Sequence, residues 1–197
     1  MHGSVKQSRV DAPPPGGLDE DQLLARIVAR DMDAFERLYR IYQPRLARFL
    51  TRILRRPQLV EEVLDDTMMV VWQSAGKFRG TSKLSTWIFA IAYRSASKAR
   101  KRWPEPIDDQ RPDSRVSQDP GPDMQLSEQR LHDALVSAMG ELSPEQRAVV
   151  DLTYFHGFGY REIAQIADCP VDTVKTRMFH ARRRLRRVLS GVAADWL

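Results

Sequence analysis

The 197-residue sequence contains a single cysteine, Cys169. That excludes an intramolecular disulfide and any all-cysteine metal centre. Histidine is scarce too: His2, His132, His156 and His180 form no i, i+4 pair and have no cysteine partners, so no zinc site is expected. No apolar run approaches the roughly 20 residues of a membrane span. The N-terminus also lacks the apolar core of a signal peptide, so the expectation is a cytoplasmic protein without membrane insertion. Strand-like alternation is missing, and the fold expected is all-α. Most telling, no Asp or Glu occurs from Thr67 to Pro104. A metal-dependent nuclease needs clustered carboxylates within its basic groove. With none there, no catalytic residue, metal or cofactor is expected.

What that acid-free stretch does hold is cationic and aromatic. Lys77, Arg79, Lys83, Arg94, Lys98, Arg100, Lys101 and Arg102 accumulate in it, interleaved with Trp72, Phe78, Trp87, Phe89, Tyr93 and Trp103. Cations track a phosphate backbone while rings accept unstacked bases, the combination that grips separated single strands. The net charge of +5 points weakly toward polyanions, so the distribution of charge carries the argument.

In chain order, residues 1–17 include Pro13-Pro14-Pro15-Gly16-Gly17 and almost no large apolar side chains, and read as a disordered tail. Helical periodicity begins at Leu18. Leu23, Leu24, Ile27 and Val28 share one face, followed by Phe35, Leu38, Tyr39 and Tyr42, with Asp33 as a cap. Pro44 is expected to open or kink a further segment. After Pro57, Val60, Val63, Leu64, Thr67, Met68 and Val71 form an apolar stripe, which leaves Glu62, Asp65, Asp66, Met69 and Gln73 on another face. Four acids, Glu61, Glu62, Asp65 and Asp66, thus directly precede the basic stretch. An acidic face with an exposed Met suits a basic protein surface and repels DNA. Past Gly80, Ser82 or Ser85 is expected to cap a helix with Leu84, Ile88, Ile91, Ala92 and Ala99 inward and Arg94, Lys98, Lys101 and Arg102 outward. Trp87 fits either a core or a DNA pocket.

Residues 18–103 therefore read as one helical domain, the polar, proline-punctuated 104–122 as a flexible linker, and 123–190 as a second domain. Leu126, Leu131, Leu135, Val136 and Met139 mark its first helix. Ser143-Pro144-Glu145-Gln146 starts the next, with Ser as cap and Gln reaching back. That helix ends at Gly157. Tyr160-Arg161-Glu162-Ile163-Ala164, a turn at Asp168-Cys169-Pro170 and a long basic helix from about Val171 to Leu189 then describe a helix-turn-helix. Val174, Met178, Ala181, Leu185 and Val188 point inward there, leaving Lys175, Thr176, Arg177, Phe179, His180, Arg182, Arg183 and Arg184 largely outside for phosphates and base edges.

Val60-Glu61-Glu62-Val63-Leu64-Asp65-Asp66-Thr67, Phe78-Arg79-Gly80 and Ser85-Thr86-Trp87-Ile88-Phe89-Ala90-Ile91-Ala92 resemble region 2 of bacterial RNA polymerase sigma factors. Leu142-Ser143-Pro144-Glu145-Gln146-Arg147, Tyr160-Arg161-Glu162-Ile163-Ala164 and the run from Thr173 to Arg182 resemble region 4. The linker has no room for a folded region 3, which singles out the extracytoplasmic-function group. Asp65 and Met68 stand where that family often has Gln and Phe, and Asp168 and Asp172 where glycines are common.

The resemblance implies a promoter-recognition subunit of core RNA polymerase. By it, Glu61, Glu62, Asp65, Asp66 and Met69 dock on the polymerase. Lys77, Arg79, Ser82, Lys83, Ser85, Thr86, Trp87, Tyr93, Arg94, Lys98 and Arg102 melt and hold the −10 element, with a flipped base in the loop after Gly80. Thr173, Lys175, Thr176, Arg177, Phe179, His180, Arg182 and Arg183 read the −35 element in duplex promoter DNA. The linker threads toward the RNA exit path, and an anti-sigma factor is the expected regulator. Modification at Thr67 is a weaker route, because the neighbouring acids already supply negative charge. A helix-turn-helix repressor or activator acting without polymerase is the competing reading, and it leaves the acidic face unexplained.

Overall fold

The structure, a computed structural model, describes residues 20–103 and 138–194, with side chains as far as Arg187. The expected tail, the linker and the helix residues Leu126 to Val136, with Val188, lie outside the described residues or side chains. All regular structure among the described residues is helical.

The first unit comprises α1 (Glu20–Val28), α2 (Met32–Leu54), α3 (Pro57–Ser74), a 3-10 turn (Ala75–Lys77) and α4 (Leu84–Arg102). Leu23, Leu24 and Ile27 bury one side of α1, and Arg30 then turns the chain at φ 65°. The cap of α2 is Asp31 rather than Asp33: its carboxylate accepts from the backbone N–H groups of Asp33 at 3.0 Å and Ala34 at 3.2 Å. The helix begins two residues earlier than Asp33 would start it, because only a residue left in extended backbone can turn its side chain onto the first free N–H groups.

Pro44 does not open a separate segment; it lies inside one continuous 23-residue helix. Its ring is on the exposed side, where water can reach the carbonyl that loses its donor. The buried stripe of Leu38, Tyr42, Leu46, Phe49, Leu50 and Ile53 runs past it in phase. A mid-helix proline costs about 3 kcal/mol, and burial of those side chains at roughly 1.5–3 kcal/mol each offsets it.

In α3 the whole expected stripe is buried, including Met68. Thr67 is fully buried and donates its hydroxyl to the Val63 carbonyl at 2.6 Å, so it is no accessible modification site. α4 starts at Leu84 with Lys83 in the cap position and no side-chain cap. Ser82 is turned away, its hydroxyl against the Lys83 carbonyl, and Ser85 lies within the helix, so neither serine caps it. Leu84, Ile88, Ile91 and Ala92 point inward, and Ala99 is half-buried.

The second unit comprises helical residues 138–140, α5 (Pro144–Tyr154), α6 (Tyr160–Ile166) and α7 (Val171–Ala194). Ser143 and Gln146 form the expected reciprocal box at the start of α5. The turn between α6 and α7 passes through Asp168 at φ 48°, a left-handed conformation that Asp tolerates better than most residues. α7 continues five residues beyond the expected Leu189. The two units are in contact: α2 packs on α5, and α4 on α6.

Candidate nucleic-acid interface

Three surfaces follow from these elements. On α3, the 3.6-residue period that buries Val60, Val63, Leu64 and Met68 pushes Glu61, Glu62, Asp65, Asp66 and Met69 outward, and all five are exposed. Met69 remains 55% exposed and Val70 lies beside it, so the surface is acidic with an apolar centre. Its field reaches α2: burial raises the Tyr39 phenol above its ordinary value, and Asp65 and Glu61 add to the effect.

The second surface runs from the 3-10 turn along α4. Lys77, Arg79, Arg94, Lys98 and Arg102 are exposed. Gly80 adopts φ +66° with no atom within 4 Å of a would-be Cβ, so the loop is open on that side. Trp87 is half-buried against Phe78, ring centroids 5.3 Å apart, and Ser82 and Ser85 are half-buried too.

Not every residue of this stretch faces outward. Trp72 packs against Phe35 and under the Arg30 guanidinium, and Phe89 is fully buried; neither is a stacking platform. Thr86 is buried at 1% exposure. Tyr93 is half-buried, and burial raises its phenol above the ordinary value. Lys83 is exposed but paired with Glu162 at 3.0 Å, across the seam where the two units meet.

The third surface is α7. Burial of Val174, Met178 and Ala181 sets Lys175, Thr176, Phe179, His180, Arg182 and Arg183 outward, with Phe179 at 63% exposure. Thr173 is half-buried. Asp172 holds the Lys175 ammonium at 2.9 Å, and that hydrogen bond lowers the Asp172 carboxyl below its ordinary value. Two expected contacts are otherwise engaged. Arg177 is half-buried, directed at the Cys169 Sγ at 3.6 Å, and Arg182 donates twice to the Tyr154 hydroxyl at 3.1 and 2.8 Å.

The residues that join the units were not legible as a group. Asp151, fully buried, accepts from Arg52 at 2.8 Å and lies 3.1 Å from the His156 imidazole. Arg147, 3% exposed, donates to the carbonyls of Arg52, Met139 and Leu142. The signal was a charged pair, Arg147 and Asp151, at i, i+4 among the apolar positions of α5.

The Sigma-70 region 2 family matches residues 38–103, and the Sigma-70, region 4 family matches residues 132–185. The chain is 34% identical over 165 residues to the ECF RNA polymerase sigma factor RpoE of Cereibacter sphaeroides, covering 82% of this chain and 89% of that protein. It is 33% identical over 182 residues to the ECF RNA polymerase sigma factor SigK of Mycobacterium sp. strain JLS, covering 87% and 91%. Among solved structures, the sigma factor RpoE of Bartonella quintana, crystallised with the anti-sigma factor NepR, superposes with a TM-score of 0.60 at 26% identity over 79% of this chain and 96% of that one. With both regions present in order, and with relatives matched over nearly their full length, the chain belongs to the extracytoplasmic-function sigma factors, which direct RNA polymerase to promoters.

Proposed function

We propose that residues 18–103 bind core RNA polymerase through Glu61, Glu62, Asp65, Asp66 and Met69 and open the −10 element along α4, while residues 123–190 read the −35 element through α7. The observation that carries this reading is the separation of charge. The acids of α3 are exposed together around Met69, while the helix that follows them contains no acid at all. A polymerase-facing surface and a DNA-facing surface have opposite requirements, and adjacent helices supply one each.

The chain acts by binding and positioning, with no catalytic chemistry of its own, and works in the cytoplasm where polymerase and promoters meet. No described helix is long and apolar enough to cross a membrane. Regulation by an anti-sigma factor is supported by the Bartonella relative, which was crystallised with one.

The test is binding of the purified chain to core RNA polymerase, wild type beside an Asp65→Arg/Asp66→Arg variant whose folding is checked by circular dichroism. Wild-type binding that the variant loses is the expected result. Equal binding by both would remove the acidic face from the reading. No binding by folded wild type, together with tight binding of free duplex DNA, would favour the independent repressor or activator.

A further inference from the structure

Asp172 is out of character on the face assigned to duplex DNA. It is the only acid in α7, and its side chain is 89% exposed. It shares a face with Lys175, Thr176, Phe179 and Arg183, at i+3, i+4, i+7 and i+11. Those four are exposed as well, while Val174, Met178 and Ala181 hold the opposite side in the core. A carboxylate turned toward phosphate lowers affinity. On such a face it contributes only where it meets a hydrogen-bond donor, and the base edges of the major groove offer two, cytosine N4 and adenine N6.

Lys175 decides between them. Its ammonium lies 2.9 Å from Asp172 Oδ1, so an acceptor and a donor stand side by side, one hydrogen bond apart. A G·C pair presents the complement: guanine O6 accepts and cytosine N4 donates, the two separated by about 3 Å. Laid edge to edge, Asp172 meets N4 and Lys175 meets O6, with N7 of the same guanine beside it as a second acceptor. An A·T pair also sets a donor beside an acceptor. There, however, adenine N7 would face the carboxylate as an unmatched acceptor, and the thymine methyl would crowd the ammonium. The two side chains need not part in order to read the base pair, since an ammonium has three protons to donate and a carboxylate about four lone-pair sites.

We propose that Asp172 and Lys175 act as one unit that reads a single G·C base pair in the −35 element, Asp172 accepting from cytosine N4 and Lys175 donating to guanine O6 and N7. The proposal rests on the assignment of α7 to duplex promoter DNA. Asp172 lies about one turn nearer the start of α7 than Lys175, so the order of the two groups along the helix distinguishes G·C from C·G. Asp172 thus gives up general attraction to phosphate in exchange for discrimination.

The experiment selects bound duplexes from a randomised library with the full chain, alone and assembled with core RNA polymerase, and sequences them. Wild type is compared with Asp172→Asn and Asp172→Ala, each checked by thermal melting, because an acid in the first turn also favours the helix dipole. Wild type should select a motif with one invariant G·C pair, at which any other pair costs about tenfold in affinity by anisotropy. Asp172→Asn should move that one position toward adenine, which an amide reads through N6 and N7, and leave the rest of the motif unchanged. Asp172→Ala should lose the preference at that position and bind random-sequence duplex more tightly than wild type. A wild-type motif without an invariant G·C pair, a motif unchanged in both variants, or one weakened evenly at every position alongside a lower melting midpoint would overturn the pair as a reader while keeping α7 on the −35 element. Absence of any selected motif, or a motif and affinity that Arg183→Ala also leaves unchanged, would instead overturn the assignment of α7 and the proposal with it.

Discussion

The two basic helices α4 and α7 look alike in sequence yet differ in what surrounds them. Both have an apolar stripe on one side and Lys or Arg on the other. On α7 the outward residues Phe179, His180 and Arg183 are exposed, and among the described residues the helix packs mainly against α5 and α6 of its own unit. On α4 the side carrying Lys83, Thr86 and Tyr93 meets the second unit. Sequence charge specifies attraction to phosphate; availability is decided by what packs beside the helix.

The largest expected effect comes from removing the ring that joins α4 to the second unit. Phe89→Ala deletes a fully buried ring that touches Phe49, His156 and Phe158, and should lower stability by about 3–5 kcal/mol, read as a reduced urea midpoint. On α7 the corresponding change acts on binding and not on folding. Arg183→Ala should weaken duplex DNA binding about tenfold and lower the salt slope by about one counterion, measured by anisotropy at several salt concentrations. Arg182→Ala should do less, because Arg182 is already spent on Tyr154. An equal loss from both substitutions would mean that the Tyr154 contact does not restrain Arg182.

Much of this was legible before any coordinates. The stripe of α3 follows directly from its period, and so does the exposure of Asp65 and Met69. The Ser143 cap and the turn at Asp168-Cys169-Pro170 were readable from local chemistry, because each depends on a few adjacent residues. Pro44 is the converse case: local preference allows it to open a new helix, and tertiary burial on the opposite side of α2 keeps the helix continuous through it. The seam was not legible because it joins residues about a hundred positions apart, such as Arg52 and Asp151. Phe89 sits among aromatics whose sequence positions look equivalent, and only packing separates it from Trp87.

A smaller effect isolates the second unit from the first. Ser143→Ala removes the side-chain acceptor for the Gln146 N–H at 3.2 Å and should cost about 1 kcal/mol. The loss should appear in thermal melting, with core polymerase binding unchanged, since Ser143 lies far in function from the α3 face. A fall in polymerase affinity would mean that α5 supports α3 through the seam.

The finest distinction between α4 and α7 is the carboxylate that α6 lends to α4. Burial pushes the Glu162 carboxyl up, but the Gly159 N–H at 2.9 Å and the Lys83 ammonium at 3.0 Å outweigh it, and the group stays below its ordinary value of 4.5. A lowered folded value means that the unfolded chain takes up the proton first as pH falls. The stabilisation from Glu162 is therefore complete above the ordinary value and lost as pH drops through the folded one. Melting temperatures of wild type and Glu162→Gln should differ most near neutrality and converge as the pH falls below the ordinary carboxylate range. Added salt should trim the difference only in part, since it screens the exposed Lys83 more than the backbone N–H. A difference that stays constant across pH would show that the size and shape of Glu162, and not its charge, are what α6 contributes at the seam.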